Sequence, residues 1–172
     1  MPHNGSGFII AISNRRPDGD PWLSISIAVR AFELGEKERP ALERPTILLA
    51  DDHHPLLNRV MSLLKPQFEV VGSVSDGRAL VREAQRLQPD VIVLDIAMPI
   101  LTGIEAAREL HEAGSKAKLV FLTVHQSRAF IRECFANGGL GYVTKSRMVT
   151  DLVPAINEAL SNRHFVSPAI TH

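Results

Sequence analysis

The stretch Val91-Ile92-Val93-Leu94-Asp95-Ile96-Ala97-Met98-Pro99 constrains the fold of this chain more than any other. Four consecutive apolar residues, with Pro89-Asp90 before them and Met98-Pro99 beyond, read as a short strand buried on both faces. Such strands belong inside parallel sheets. The strand runs into a carboxylate, Asp95, and then into a turn whose shape Pro99 and Gly103 fix. An acid at the carboxyl end of a buried parallel strand stands where open α/β sheets place their ligands, because the loops leave a crevice there. A lone loop aspartate is ordinarily solvated or caps a helix, so the reading turns on what other strands bring to that rim.

From Thr46 onward the pattern is regular. Residues 46–50 form a first apolar strand that ends in Asp51-Asp52. His53-His54-Pro55 open a helix with proline in its first turn and with Leu56, Val60, Leu63 and Leu64 at helical spacing. Residues 68–74 are a second strand. Asp76 is placed to cap the next helix, which runs through Leu80, Ala84 and Leu87 until Pro89 stops it. After the Asp95 strand, a third helix over 103–114 begins past Thr102 and ends at glycine. Residues 118–122 are a fourth strand ending in Thr123, and 127–137 a fourth helix closed by Gly138-Gly139. A short fifth strand over 140–144 ends in Lys145. The last helix, about 147–162, carries Met148, Leu152, Ile156 and Leu160 at fourfold spacing, with Pro154 near its first turn.

Five strands alternating with five helices describe an α/β domain with a doubly wound five-stranded parallel sheet, because parallel neighbours need crossover helices and right-handed crossovers cover both faces. Four of the five strands end in polar groups: Asp51-Asp52, Asp95, Thr123 and Lys145. Each alone has an ordinary reading as a helix cap, a strand end or solvated surface. Together on one sheet edge, three carboxylates repel one another unless a cation sits among them. Magnesium suits that demand, since it takes oxygen ligands, keeps several waters and shares phosphate oxygens. Asp51, Asp52 and Asp95 supply carboxylates, and the backbone carbonyl of Ala97 is within reach of the same ion. Lys145 then pairs with an anionic oxygen and Thr123 offers a hydroxyl. This is equipment for positioning and neutralising a phosphoryl group, with Asp95 as the nucleophile.

Composition narrows the remaining classes. The 172 residues, 45% of them apolar, suit one compact domain plus an appendage, and a formal net charge of zero carries no nucleic-acid footprint. The single cysteine, Cys134, lies among Phe130, Ile131 and Phe135 and reads as core packing, not redox chemistry. No apolar run approaches a membrane span, so a cytoplasmic protein is expected. Residues 1–45 differ from the rest: Gly5, Gly7, Pro17, Gly19 and Pro21 break up the first half, residues 22–34 fit a strand or a helical turn equally, and Glu38-Arg39-Pro40 with Glu43-Arg44-Pro45 read as an extended linker. The expected division is an N-terminal extension over 1–45, a phosphoacceptor domain over 46–167 and a tail over 168–172.

Asp51-Asp52, Asp95 with Met98-Pro99 and Gly103, Thr123, and Gly141-Tyr142 leading to Lys145 together resemble the receiver domain of bacterial two-component response regulators. The runs 49–53 and 139–145 are similar to receivers joined to helix-turn-helix output domains. The resemblance implies a flavodoxin-like (βα)5 fold with strand order 2-1-3-4-5. It also implies phosphorylation of Asp95 by a sensor histidine kinase or phosphotransfer protein, and Mg²⁺ on Asp51, Asp52, Asp95 and the Ala97 carbonyl. Lys145 would contact the phosphoryl group, and Thr123 with Tyr142 would form a switch. Tyr142 has an equally simple role as an edge-packing aromatic.

Three positions depart from the usual pattern. Ser146 follows Lys145 where many receivers have proline, Val124 follows Thr123 where alanine is common, and Ala97 cannot bond a hydrolytic water whereas His125 can; a long-lived phosphoryl state is expected. The histidines His53 and His54 admit a zinc or manganese reading beside a capping or solvated one. Residues 163–172 are too short for a DNA-binding module, so a protein-contact output with a homodimer among its forms is expected, with no direct nucleic-acid binding, in either a stand-alone receiver or a piece of a longer regulator. The alternatives are an unphosphorylated receiver-like binding module and an Asp-dependent phosphohydrolase.

Overall fold

The computed structural model describes residues 44–168. The readings made for the N-terminal extension and most of the tail lie outside the described residues. Six strands and five helices alternate: β1 (Thr46–Ala50), α1 (His54–Leu64), β2 (Glu69–Val74), α2 (Gly77–Leu87), β3 (Val91–Leu94), α3 (Gly103–Glu112), β4 (Lys118–Thr123), α4 (Arg128–Ala136), β5 (Gly139–Thr144), a 3₁₀ turn (Lys145–Arg147), α5 (Met148–Leu160) and β6 (Phe165–Val166). The strands form one sheet in the order β2-β1-β3-β4-β5-β6, with every pairing parallel. This is the expected doubly wound flavodoxin-like fold, extended at one edge by a sixth strand that the sequence did not announce.

β3 is flanked on both sides, by β1 through Ile47↔Val91 to Ala50↔Leu94 and by β4 through Val91↔Lys118 to Leu94↔Phe121. Its four residues are all buried, which explains the unbroken apolar run. The strands' period of two deals side chains to two cores. Leu48, Ala50, Ile92, Leu94, Leu119 and Phe121 pack with α2, α3 and α4 through Leu80, Ile104, Leu110 and Cys134. Ile47, Leu49, Val91, Val93, Val120 and Leu122 pack with α1 and α5 through Leu57, Val60, Leu152 and Ile156. Each such fully buried aliphatic side chain contributes roughly 1.5–3 kcal/mol, so truncating Leu152 to alanine, with the cavity it leaves, is a change of about 2–5 kcal/mol.

The Asp76 cap is the one the sequence placed. Asp76 Oδ1 accepts from Ala79 N at 2.7 Å, and Thr102 with Glu105 forms a reciprocal capping box on α3. His53 Nδ1 accepts from Leu56 N at 3.2 Å at the start of α1, which supports the capping reading of this histidine. Helix ends differ from expectation by a residue or two, as terminal turns do. Pro154 differs more: it lies inside α5 and not at its first turn. It is tolerated there because it is on the exposed face, where water can satisfy the carbonyl that its missing N–H leaves.

β6 has only two residues, paired Phe165↔Gly141 and Val166↔Tyr142. It is anchored by the Ser167 N–H, which donates to the Tyr142 carbonyl at 2.9 Å.

Candidate functional site

Each parallel strand delivers its last residue to the same end of the sheet. The Asp95 N–H donates to the Ala50 carbonyl at 2.9 Å and the Asp51 N–H to the Val74 carbonyl at 3.1 Å, so both acids sit just past the ladder, where backbone hydrogen bonds fix their Cα positions. Both residues are buried, each only 4% exposed. Asp95 Oδ1 accepts from the Ile96 N–H at 2.7 Å and Asp51 Oδ1 from the His53 N–H at 2.8 Å. Asp52, next in the chain, is exposed.

Lys145 closes the group from the end of β5. Its Nζ donates to Asp95 Oδ2 at 2.7 Å and lies 2.7 Å from Asp51 Oδ2. The second approach is a close charge contact without hydrogen-bond alignment, which leaves Asp51 Oδ2 a buried oxygen with no hydrogen bond. Burial in the rim works against the ammonium, but the Asp51 and Asp95 carboxylates outweigh it and hold the Lys145 pKa above its ordinary value. The ammonium is therefore a fixed positive charge at neutral pH.

One carboxylate oxygen from each of Asp51, Asp52 and Asp95 lies within 4.8 Å of the others. One lysine does not balance three acids at this spacing. The donors are all hard oxygens, and one of them is a buried oxygen with no hydrogen bond, so the cluster fits a hard divalent cation. Ala97 is exposed in the loop that follows.

The remaining predicted residues sit on β4, β5 and the loop between them. Thr123 is fully buried, and its Oγ1 accepts from the His125 N–H at 3.3 Å. Tyr142 is also fully buried, and its hydroxyl donates to the His125 carbonyl at 3.1 Å. The ring lies inside the domain, a position compatible with both the packing and the switch role. Burial pushes the phenol pKa up, and Cys134 and Asp95 add to the shift, so the hydroxyl keeps its proton. The His125 ring lies 4.4 Å from the Phe130 ring, and Val124 is 63% exposed. Sequence reasoning missed a second polar cluster at the start of α5, centred on Asp151 and reaching Ser167. The one available signal was the Arg147–Asp151 spacing of four along a helix.

A sequence model of the response regulator receiver domain matches residues 47–157. Transcriptional regulatory protein DegU of Brevibacillus brevis is 30% identical over 128 residues, which is 73% of this chain and 54% of that protein. The nitrate/nitrite response regulator protein NarL of Escherichia coli K12 is 33% identical over 131 residues, 75% of this chain and 61% of that one. The chain thus spans little more than half the length of the curated relatives it matches. A crystal structure of a two-component response regulator of the LuxR family from Aurantimonas sp. SI85-9A1 superposes with a TM-score of 0.71 at 34% identity, covering 74% of this chain and 93% of that one. The response regulator domain of Thermotoga maritima CheB gives a TM-score of 0.65 at 26% identity over 69% and 98%.

Fold, rim chemistry and relatives define a signalling domain phosphorylated on aspartate, a class not counted among enzymes. The phosphohydrolase alternative is set aside by the same findings. Within that class, the chain belongs to the response regulator receiver domain family of two-component signal transduction. Receivers of this family interact with histidine kinases and other phosphodonors.

Proposed function

We propose that this chain accepts a phosphoryl group on Asp95 from a sensor histidine kinase or phosphotransfer protein and switches a protein-contact surface in response. The observation that supports it best is the convergence of Lys145 from β5 on Asp51 from β1 and Asp95 from β3, at 2.7 Å each. A carboxylate oxygen of Asp95 attacks phosphorus, the phosphorus–nitrogen bond of the donor phosphohistidine breaks, and the released imidazole takes up a proton. Asp51, Asp52, Asp95 and the Ala97 carbonyl would hold Mg²⁺, which supplies neutralisation of the phosphoryl oxygens. Lys145 exchanges its contact with Asp95 for one with a phosphoryl oxygen, and the Thr123 hydroxyl donates to another.

The added charge, about −1.5 to −2, biases the neighbourhood of Thr123, His125 and Tyr142. Because the Tyr142 hydroxyl is held by the His125 carbonyl two residues beyond Thr123, movement of Thr123 displaces Tyr142's anchor. Residues 46–167 constitute the receiver, with 1–45 an extension and 168–172 a tail. No helix among the described residues is long and apolar enough to cross a membrane, and a cytoplasmic site of action follows from the donor proposed.

The test is incubation of the full chain with acetyl phosphate and Mg²⁺, followed by intact mass. A gain of one phosphoryl group in the wild type and none in Asp95→Asn is expected. Undiminished labelling of Asp95→Asn would refute the assignment. No labelling of the wild type would favour an unphosphorylated binding module.

A further inference from the structure

The turn that carries Lys145 has serine, not proline, after the lysine, and its shape is held from elsewhere. Asp151, 5% exposed in the first turn of α5, collects four donors: Arg147 Nε at 2.7 Å, Arg147 Nη2 at 3.1 Å, Thr150 Oγ1 at 2.7 Å and Ser167 Oγ at 2.7 Å. Burial alone would raise this acid's pKa, but the hydrogen bonds from Arg147, Ser167 and Thr150 outweigh it and leave the pKa below the ordinary value. The carboxylate is therefore ionised and fully bonded. Ser167 is completely buried and accepts from the Thr144 N–H at 3.3 Å, while its own N–H holds the Tyr142 carbonyl at 2.9 Å.

Lys145 is thus bracketed. The residue before it, Thr144, is tied to Asp151 through Ser167, and Arg147, two residues after it, is tied to Asp151 directly. We infer that Asp151 and Ser167 are positioning residues for Lys145, and that the short strand β6 exists in this chain to deliver the Ser167 hydroxyl to the end of β5. Lys145 Nζ meets two carboxylates at once, at 2.7 Å each, so a displaced Lys145 backbone has to give up ideal geometry at one of them. Misplacing a reacting partner by 1 Å costs as much as about a hundredfold in rate. The Asp151 hub supplies the placement from α5 and from the chain beyond it, so the acceptor site depends on a segment outside the four strands whose ends form it. The inference rests on the proposed role of Lys145 in phosphoryl transfer.

The experiment follows the labelling rate of the full chain with acetyl phosphate at saturating Mg²⁺, in which the phosphorus–oxygen bond to the acetyl group breaks, Asp95 gains the phosphoryl group and acetate leaves. Ser167→Ala should slow labelling roughly three- to tenfold, below the full cost of a 1 Å misplacement. Asp151→Asn should slow it at least as much, and Ser167→Thr, which keeps the hydroxyl, should recover most of the rate. Leu110→Ala, buried in α3 on the opposite core, controls for stability: it should lower the melting temperature and label at the wild-type rate. If Asp151→Asn does not fold, Ser167→Ala decides alone. Wild-type labelling by Ser167→Ala overturns the inference whatever its melting temperature, as does equal slowing in Leu110→Ala. Lys145→Ala distinguishes the underlying reading: if it labels like the wild type, Lys145 has no role to be positioned for and both proposals fall, whereas a slow Lys145→Ala beside a normal Ser167→Ala removes the positioning role only.

Discussion

Gly103 lies against the backbone of Asp95 so closely that a Cβ on Gly103 would fall 1.9 Å from the Asp95 carbonyl oxygen and 2.8 Å from the carbonyl carbon. The start of α3 is thereby pressed onto the end of β3, and the Gly103 N–H donates to the Ile96 carbonyl at 2.9 Å to hold it there. The atoms in the way are backbone, so they cannot swing aside as a flexible side chain would. Gly103→Ala should destabilise the fold by about 3 kcal/mol, at the upper end of what overpacking costs, and should shift Asp95 out of register with Lys145. Urea unfolding checks the first effect and acetyl phosphate labelling the second. A near-wild-type midpoint would mean that the loop yields easily.

The three clustered acids predict a characteristic response to divalent metal. Mg²⁺ at ten times its dissociation constant should stabilise the wild type by about 1.4 kcal/mol. Asp51→Asn should remove most of that gain. It should also make the metal-free protein more stable than the wild type, because one buried negative charge has gone from a cluster that a single lysine underbalances. Melting curves with and without MgCl₂ read both. A metal-dependent rise of the same size in Asp51→Asn would show that the ion binds elsewhere.

Much of this site was legible because it is built from strand ends. An unbroken apolar run reads as a buried parallel strand, and the residue after it then stands on the sheet's carboxyl edge, so strand order alone puts Asp51, Asp95, Thr123 and Lys145 on one rim. Features that depend on tertiary packing were not legible. β6 is two residues long and cannot display an alternation, and Phe165 and Val166 are a strand only because the edge of β5 is there to pair with. Nothing in the sequence marks Ser167, at the end of the domain, as buried, since its burial is a consequence of that pairing. The full burial of Tyr142 in the core shared by α2, α3 and α4 depends on packing that no spacing encodes. Pro154 read as a first-turn proline because proline belongs there, and an exposed helix face relaxed that rule.

Ile100 shows another feature that spacing could not signal. It adopts φ +69° and is 81% exposed, although it is β-branched and sits in the Asp95 loop between Pro99 and Leu101. A left-handed backbone costs an L-residue of this kind about 1–2 kcal/mol, and its side chain gains little burial in return. Ile100→Gly should therefore stabilise the domain by about 1 kcal/mol, measured as a higher urea midpoint with an unchanged slope. A lower midpoint would show that the Ile100 side chain packs to an extent its exposure conceals.

Ala97, two residues after Asp95, has no group with which to hold an attacking water, and its side-chain position is open to solvent. An amide there would supply a donor and an acceptor beside the phosphoryl group. Ala97→Asn should shorten the phosphoryl lifetime roughly tenfold, equivalent to ~1.4 kcal/mol in the barrier. Decay is followed by mass after removal of acetyl phosphate. If the lifetime does not change, water access in this site is governed from another side, and His125 is the next residue to vary.

Asp151 should make acid sensitivity diagnostic of the hub. Its pKa in the folded protein is lowered: burial opposes the charge, but the hydrogen bonds from Arg147, Ser167 and Thr150 more than compensate. The unfolded chain therefore binds a proton on this residue more readily than the folded one. A depressed acid contributes stability that is fully present above its unfolded pKa, near 4, and is lost as the pH falls through the folded value. Asp151→Asn carries no such term, so the stability gap between it and the wild type should be widest at about pH 6 and should narrow as the pH falls below about 4. Denaturant titrations of both proteins across that range measure the gap. A gap that stayed constant would mean that Asp151 keeps the same proton affinity folded and unfolded, and that the contacts from Arg147 and Ser167 do not stabilise its charge.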